Sequence, residues 1–319
     1  MVDITSAPPT RQPRKPSTPF SFETAISQMF RSPDGREFGL RLWFWTAAFV
    51  TLGYLVGIPL IASDYFELMR LSADLQDPAT VDEASAQLLG LFGRMIPGFL
   101  VVTFIPWFAV MAGEAALHRK ILRGEERARQ PLRWGRDEFR VLGAQLAVFG
   151  FMALIYFGAI LLSIVTLGIG ALIALPAALF LLVFVPLRLA PAAALSIKDR
   201  KLKVMEARRV TKHRAGPLFG TYLFLWFAGY VAIYAVMLSA MIAIAGDSGI
   251  AGMSVGAPAS DAAMDSFAAN LSNPLYMLIG IVAIIAYAAV SSLWYLSISG
   301  VGAYAVQWYD ENTRAEVFS

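Results

Sequence analysis

Six stretches of the chain are apolar on every face, at about residues 42–62, 96–117, 141–165, 170–187, 217–245 and 275–306. Runs of about 18 or more such residues read as membrane helices. In lipid, a lone segment can satisfy its peptide groups only by folding as a helix. The pattern therefore predicts an all-α fold: a polytopic membrane bundle of six transmembrane helices. The stretch Val141–Leu187 is nearly unbroken and too long for one crossing. It is read as two crossings joined by a tight turn near Thr166-Leu167-Gly168-Ile169-Gly170.

Between the spans the pattern changes. Residues 1–19 hold Pro8, Pro9, Pro13, Pro16 and Pro19 with Arg11, Arg14 and Lys15, which reads as a disordered tail. From Phe20, the residues Phe22, Ile26, Met29 and Phe30 fall at helical spacing, with Ser21 placed to cap and Glu23 in the first turn. This is a short amphipathic helix for a membrane surface. Comparable segments around Ile121–Phe139 and Leu202–Val210 precede the third and fifth spans. They suggest three units, each an interfacial helix followed by a hairpin. The membrane domain is residues 20–306, with polar loops at 63–94 and 246–273 and a tail at 307–319.

Charge sets the orientation. Of 26 lysines and arginines, 24 fall before the first span, between the second and third, between the fourth and fifth, or after the sixth; only Arg70 and Arg94 fall on the other flank. Basic loops stay cytoplasmic, so both termini are expected inside. Two crossings over Val141–Leu187 are needed for this alternation. The net charge of +3 is too small to imply nucleic-acid binding. There is no cysteine and there are only two histidines, His118 and His213, so cysteine-bound metals, disulfides and a histidine-rich metal centre are excluded. No catalytic constellation or cofactor motif is visible, and no enzyme activity is expected. Gly168-Ile169-Gly170 lacks the third glycine and the strands of a dinucleotide loop. Asn270-Leu271-Ser272 matches a glycosylation pattern too short to weigh, and the acidic residues of the 63–94 loop lack a calcium-loop spacing.

Two sets of residues stand out. Glu114 is the only ionisable residue other than tyrosine within the six spans, and Arg188 ends the fourth span at a similar depth. Intramembrane charges are functional candidates; a Glu114–Arg188 pair is the candidate, against a merely structural pair or separate snorkelling. The basic set is Arg119, Lys120 and Arg123 beside the second span, with Lys201, Lys203, Arg208, Arg209, Lys212 and Arg214 before the fifth. Beside an anionic leaflet each adds about 1 kcal/mol of attraction, unless these charges only enforce topology. Pro106 reads as a kink. Ala112/Ala116, Gly170/Ala174 and Ser299/Ala303 read as helix contacts.

At Leu187-Arg188-Leu189-Ala190-Pro191-Ala192 and Val210-Thr211-Lys212-His213-Arg214 the chain resembles a group of bacterial six-helix inner-membrane proteins. These are the membrane domain of some glycerophosphoryl diester phosphodiesterases and the YciC-type proteins. The resemblance implies a bacterial inner-membrane location and brings no phosphodiesterase activity, since the hydrolase domain has no counterpart here. Two functions fit these readings. One is a non-enzymatic membrane organiser or scaffold, whose partners are anionic lipid headgroups and a membrane protein or a second copy. The other is a transporter or channel for a lipid-like or small uncharged solute, which needs a cavity among the second, fourth and sixth spans near Pro106 and Glu114.

Overall fold

The computed structural model describes residues 20–30, 35–74, 81–125, 131–166, 170–212, 215–252 and 273–317. Among them the regular structure is helical, with no strand. A short helix α1 (Phe22–Ser27) runs into a 3-10 turn (Gln28–Phe30). Then come α2 (Gly35–Asp74), α3 (Val81–Arg123), α4 (Arg136–Val165), α5 (Ala171–Leu189), α6 (Ala192–Lys198), α7 (Ala207–Val210), α8 (Ala215–Gly252) and α9 (Pro274–Val317). Six of these are long and apolar enough to cross a bilayer: α2, α3, α4, α5 with α6, α8 and α9. They contain the six spans expected from the sequence.

Four helices are far longer than a crossing. About 20 residues suffice for a bilayer core, whereas α2, α3, α8 and α9 have 40, 43, 38 and 44 residues. Residues 63–74 and 81–94 were expected in a polar loop; they instead extend α2 and α3 by several turns. Arg94 bridges the two extensions, donating to Glu67 at 2.6 Å and lying 3.3 Å from Asp64. Residues 307–317 likewise continue α9 rather than forming a loose tail.

The tightest seam joins α2 to α3. Gly53 and Gly57 on α2 face Pro106 and Val102 on α3, and Gly98 on α3 faces Leu60 and Ile61. A Cβ at Gly53 would sit 2.7 Å from Pro106 Cδ, closer than real contacts allow. Small residues thus let the backbones approach, which is how helices gain dispersion in lipid. Pro106 lies inside α3 without ending it, buried against Gly53. The helix α9 packs on both α2 and α3, and also on α8. Trp43 Nε1 donates to the Ala289 carbonyl at 2.8 Å across the α2–α9 contact. The α4–α5 hairpin packs mainly on itself along the membrane. Its side chains Phe157, Leu161, Ile164, Leu172 and Ile173 are exposed, a surface suited to lipid and not to water.

One end of the bundle gathers α1, the C-terminus of α3, the N-terminus of α4, α6, α7 and the C-terminus of α9. We call it the basic end. Ser21 caps α1, accepting from the Thr24 amide at 3.2 Å, as the sequence predicts. Phe20 packs edge-on against Tyr304 and Trp308, so α1 lies against α9. Lys198 pairs with Asp310, and Gln307 donates to the Ile121 carbonyl at 2.8 Å and meets Gln28 at 2.8 Å. The three-unit pattern holds only in part. In the expected interfacial segment of residues 121–139, α3 runs to Arg123 and α4 begins at Arg136. The described residues between them form no helix. Gly124 ends α3 in the left-handed region at φ 67°. In the third segment only Ala207–Val210 is helical, with α6 as an unforeseen helix before it.

Candidate functional site

Glu114 lies deeper than its sequence position suggested, because α3 continues nine residues beyond it. At about 1.5 Å per residue the carboxylate is about 14 Å inside the helix end. It is 6% exposed. Three helices supply its neighbours. Gln145 on α4 donates from Nε2 to Glu114 Oε2 at 2.7 Å and to the Tyr295 hydroxyl at 2.6 Å. Tyr295 on α9 donates its hydroxyl to the same carboxylate oxygen at 3.0 Å. Trp107, one α3 turn pair earlier, donates its indole N–H to Gln145 Oε1 at 3.0 Å. An indole can only donate, so it fixes which way the Gln145 amide points. One turn below, His118 Nε2 donates to the Ser299 carbonyl at 3.0 Å, and its Nδ1 has no partner.

The expected Glu114–Arg188 pair does not form. Arg188 points to Thr211 instead, with Nη1 3.5 Å from Oγ1, and its guanidinium lies 5.1 Å from the Phe184 ring centre. The reason is geometric: α5 packs on α4 and α8, while Glu114 faces α4 and α9. Thr211 Oγ1 also lies 3.3 Å from the Arg188 carbonyl. The two sequence segments that carried the family resemblance therefore meet at this point.

The basic set divides in two. Arg119 is 3% exposed and Glu138 is fully buried at 0%. Arg119 donates to Glu138 Oε1 and lies 3.8 Å from Asp137. Arg123 donates to Asp137 at 2.5 Å and to Glu125 at 3.0 Å. Arg140 also pairs with Asp137. Arg119 and Arg123 are thus parts of a buried ionic lock between α3 and α4, not surface contacts. Lys203 pairs with Glu206 and Asp199, which hold its ammonium above the ordinary lysine range. Lys120 lies 5.7 Å from the Phe38 ring centre. Lys201, Arg208, Arg209 and Lys212 are exposed and, among the described residues, form no ion pair. Arg214 and His213 lie outside the described residues, as do Arg127, Arg129 and Asn270.

Asp137, Glu138, Gln145 and Tyr295 were missed as site residues. Two acids directly after Arg136, in the first turn of a helix opposite a basic stretch, were the available signal for the lock. A lone glutamine in an apolar span was the signal for the inner cluster. Two apolar cavities lie among the described helices. One of about 310 Å³ sits between α2, α8 and α9, lined by Tyr54, Met237, Met241 and Tyr287. Another of about 490 Å³ sits between α2, α3 and the start of α4. Of the small residues named from the sequence, Ala112, Ala116, Ala174, Ser299 and Ala303 are buried, while Gly170 is half-buried just before α5. Among the described residues, no group of three or more metal-ligating side chains gathers.

Fold and site together define an integral, multi-pass membrane protein, helical in its described residues, with a polar cluster between its apolar helices and a charged lock at one end. Comparison with known family models, with curated proteins and with solved structures finds no match.

Proposed function

We propose that the protein is a non-enzymatic organiser or scaffold of a bacterial inner membrane. In this reading the basic end and both termini face the cytoplasm, and the partners are anionic lipid headgroups and a neighbouring membrane protein. The observation that supports it most is the separation of the cations into two groups. The buried arginines pair with carboxylates, whereas Lys201, Arg208, Arg209 and Lys212 stand exposed with no carboxylate partner among the described residues. Val210, next to Arg209, shares a buried cluster with Ala25 of α1, and Phe22 of α1 packs on Phe224 of α8. Four such charges at an anionic surface contribute about 4 kcal/mol. The resemblance to the YciC-type group agrees with this location, and we propose membership in that group on the Arg188–Thr211 junction.

The test is copurification. The protein extracted gently from a bacterial membrane is expected to retain anionic lipid or a protein partner. The quadruple charge reversal Lys201→Glu, Arg208→Glu, Arg209→Glu, Lys212→Glu is expected to lower that association at least tenfold. Unchanged association by a folded, inserted variant would remove the reading.

A further inference from the structure

The mouth of the ionic lock is a cavity of about 450 Å³, lined by Arg123, Arg133, Arg136, Arg140 and Arg200 together with Glu125, Asp137 and Glu138. Cations outnumber acids here, and Arg119 already neutralises Glu138 from behind. The carboxylates are oversubscribed. Glu125 is shared by Arg123, Arg133 and Arg200, the last two at 3.7 and 3.3 Å. Asp137 is shared by Arg119, Arg123, Arg133 and Arg140. Arg136 is exposed at the rim and forms no ion pair among the described residues.

Two buried atoms of residues that line this cavity lack partners: Arg123 Nε, a donor, and Glu138 Oε2, an acceptor. Buried polar atoms without partners are rare and call for an explanation. Arg200 adds a third sign. It has φ 54°, in the left-handed region that costs a side-chain-bearing residue roughly 1 kcal/mol or more, and this turn brings its guanidinium to Glu125.

The charged cavity adjoins an apolar one. Trp134 lines both. The apolar cavity, about 490 Å³, is otherwise bounded by Phe49, Ile105, Phe108, Ala109, Ala112, Leu132 and Phe139. Trp134 packs edge-on against Phe108, and Trp134 and Phe139 are 53% and 64% exposed. Aromatics of this kind mark the boundary between headgroups and chains.

A charged pocket with surplus guanidinium, joined through a tryptophan to an apolar cavity at a helix end, matches one chemistry. We infer that this is a binding site for a single anionic phospholipid. Its phosphate accepts from Arg133, Arg136 and Arg123 Nε. A headgroup hydroxyl donates to Glu138 Oε2, and one acyl chain lies against Ala109 and Phe108. The site rests on the proposed reading that the basic end meets an anionic leaflet.

Native mass spectrometry of the detergent-purified protein, titrated with phosphatidylglycerol and separately with phosphatidylcholine, tests it. The expected result is one tightly retained phosphatidylglycerol and no comparable phosphatidylcholine adduct. Water-soluble glycerol phosphate at equal concentration is expected not to displace it. Arg133→Gln with Arg136→Gln, on loosely paired or unpaired side chains, is expected to weaken retention about twentyfold. Ala109→Phe, which fills the apolar cavity, is expected to weaken it with the charges intact. Equal retention by either variant, with its thermal melting unchanged, overturns the site, as does equal binding of phosphatidylcholine or displacement by glycerol phosphate. If the double variant fails to fold, Ala109→Phe alone decides. The quadruple surface reversal is expected to leave this one lipid bound. Loss of bulk association alone therefore bears on the scaffold reading, and loss of the single adduct bears on the site.

Discussion

Replacing Arg119 by methionine removes the cation that neutralises Glu138 between α3 and α4. Glu138 is wholly buried, and its Oε2 already lacks a donor. The single variant therefore leaves a carboxylate at membrane-interface depth with no compensating charge. Breaking a buried pair by removing one partner costs about 3–5 kcal/mol. Asp137 is relieved of a weak contact at 3.8 Å but keeps Arg123 and Arg140, so little of that cost is returned elsewhere. Replacing both partners, Arg119→Met with Glu138→Leu, removes the stranded charge as well. The double variant should lie within about 1–2 kcal/mol of the parent. The full cycle, with Glu138→Leu alone as its fourth protein, then isolates the coupling between the two partners. Unfolding by SDS in mixed micelles, followed by circular dichroism, measures all four proteins. A single variant losing under 1 kcal/mol, or a double variant no better than the single, would show that the pair is open to water and that the reasoning fails.

Gly57→Leu should drive a side chain into Val102 and lower stability by about 1–3 kcal/mol. The control Gly90→Leu, where a Cβ meets nothing within 4 Å, should stay within about 0.5 kcal/mol in the same assay. Gln145→Leu deprives Trp107 of its acceptor and Glu114 of one donor, and should cost about 1–3 kcal/mol. Glu114→Gln and Arg188→Gln should be additive within about 0.5 kcal/mol, because the two side chains share no partner; a larger coupling would restore the direct pair.

Much of the architecture is legible in the sequence, because length and unbroken apolarity are local properties. Each expected span sits inside an apolar helix, and Ser21 caps where it should. The extensions of α2 and α3 were not legible. Asp64 and Glu67 look like solvated loop charges until Arg94 is brought beside them. The spacing of Gly53 and Gly57 can be read locally, but their partner Val102 cannot. The inner cluster failed for a related reason. Glu114 was visible as a lone acid in an apolar run, yet its partners are neutral and lie 31 and 181 residues away. Choosing Arg188 followed charge and similar depth in the span, and the packing of α5 outside the α3–α4–α9 contact overrode both. In the basic set, the sequence treated nine cations alike. Only the fold separates Arg119 and Arg123, which close onto Asp137 and Glu138, from Arg208 and Arg209, which remain free.

The chain contains no cysteine, so any introduced thiol is unique. Lys201 at the basic end and Asn273 at the start of α9 are both exposed. Labelling Lys201→Cys and Asn273→Cys in whole bacterial cells with a membrane-impermeant maleimide places each end of the bundle directly. The account predicts that the thiol at 273 is modified in intact cells and the thiol at 201 only after the membrane is permeabilised. Modification at 201 in intact cells, or at both positions alike, would contradict a bundle that crosses the bilayer with its basic end inside.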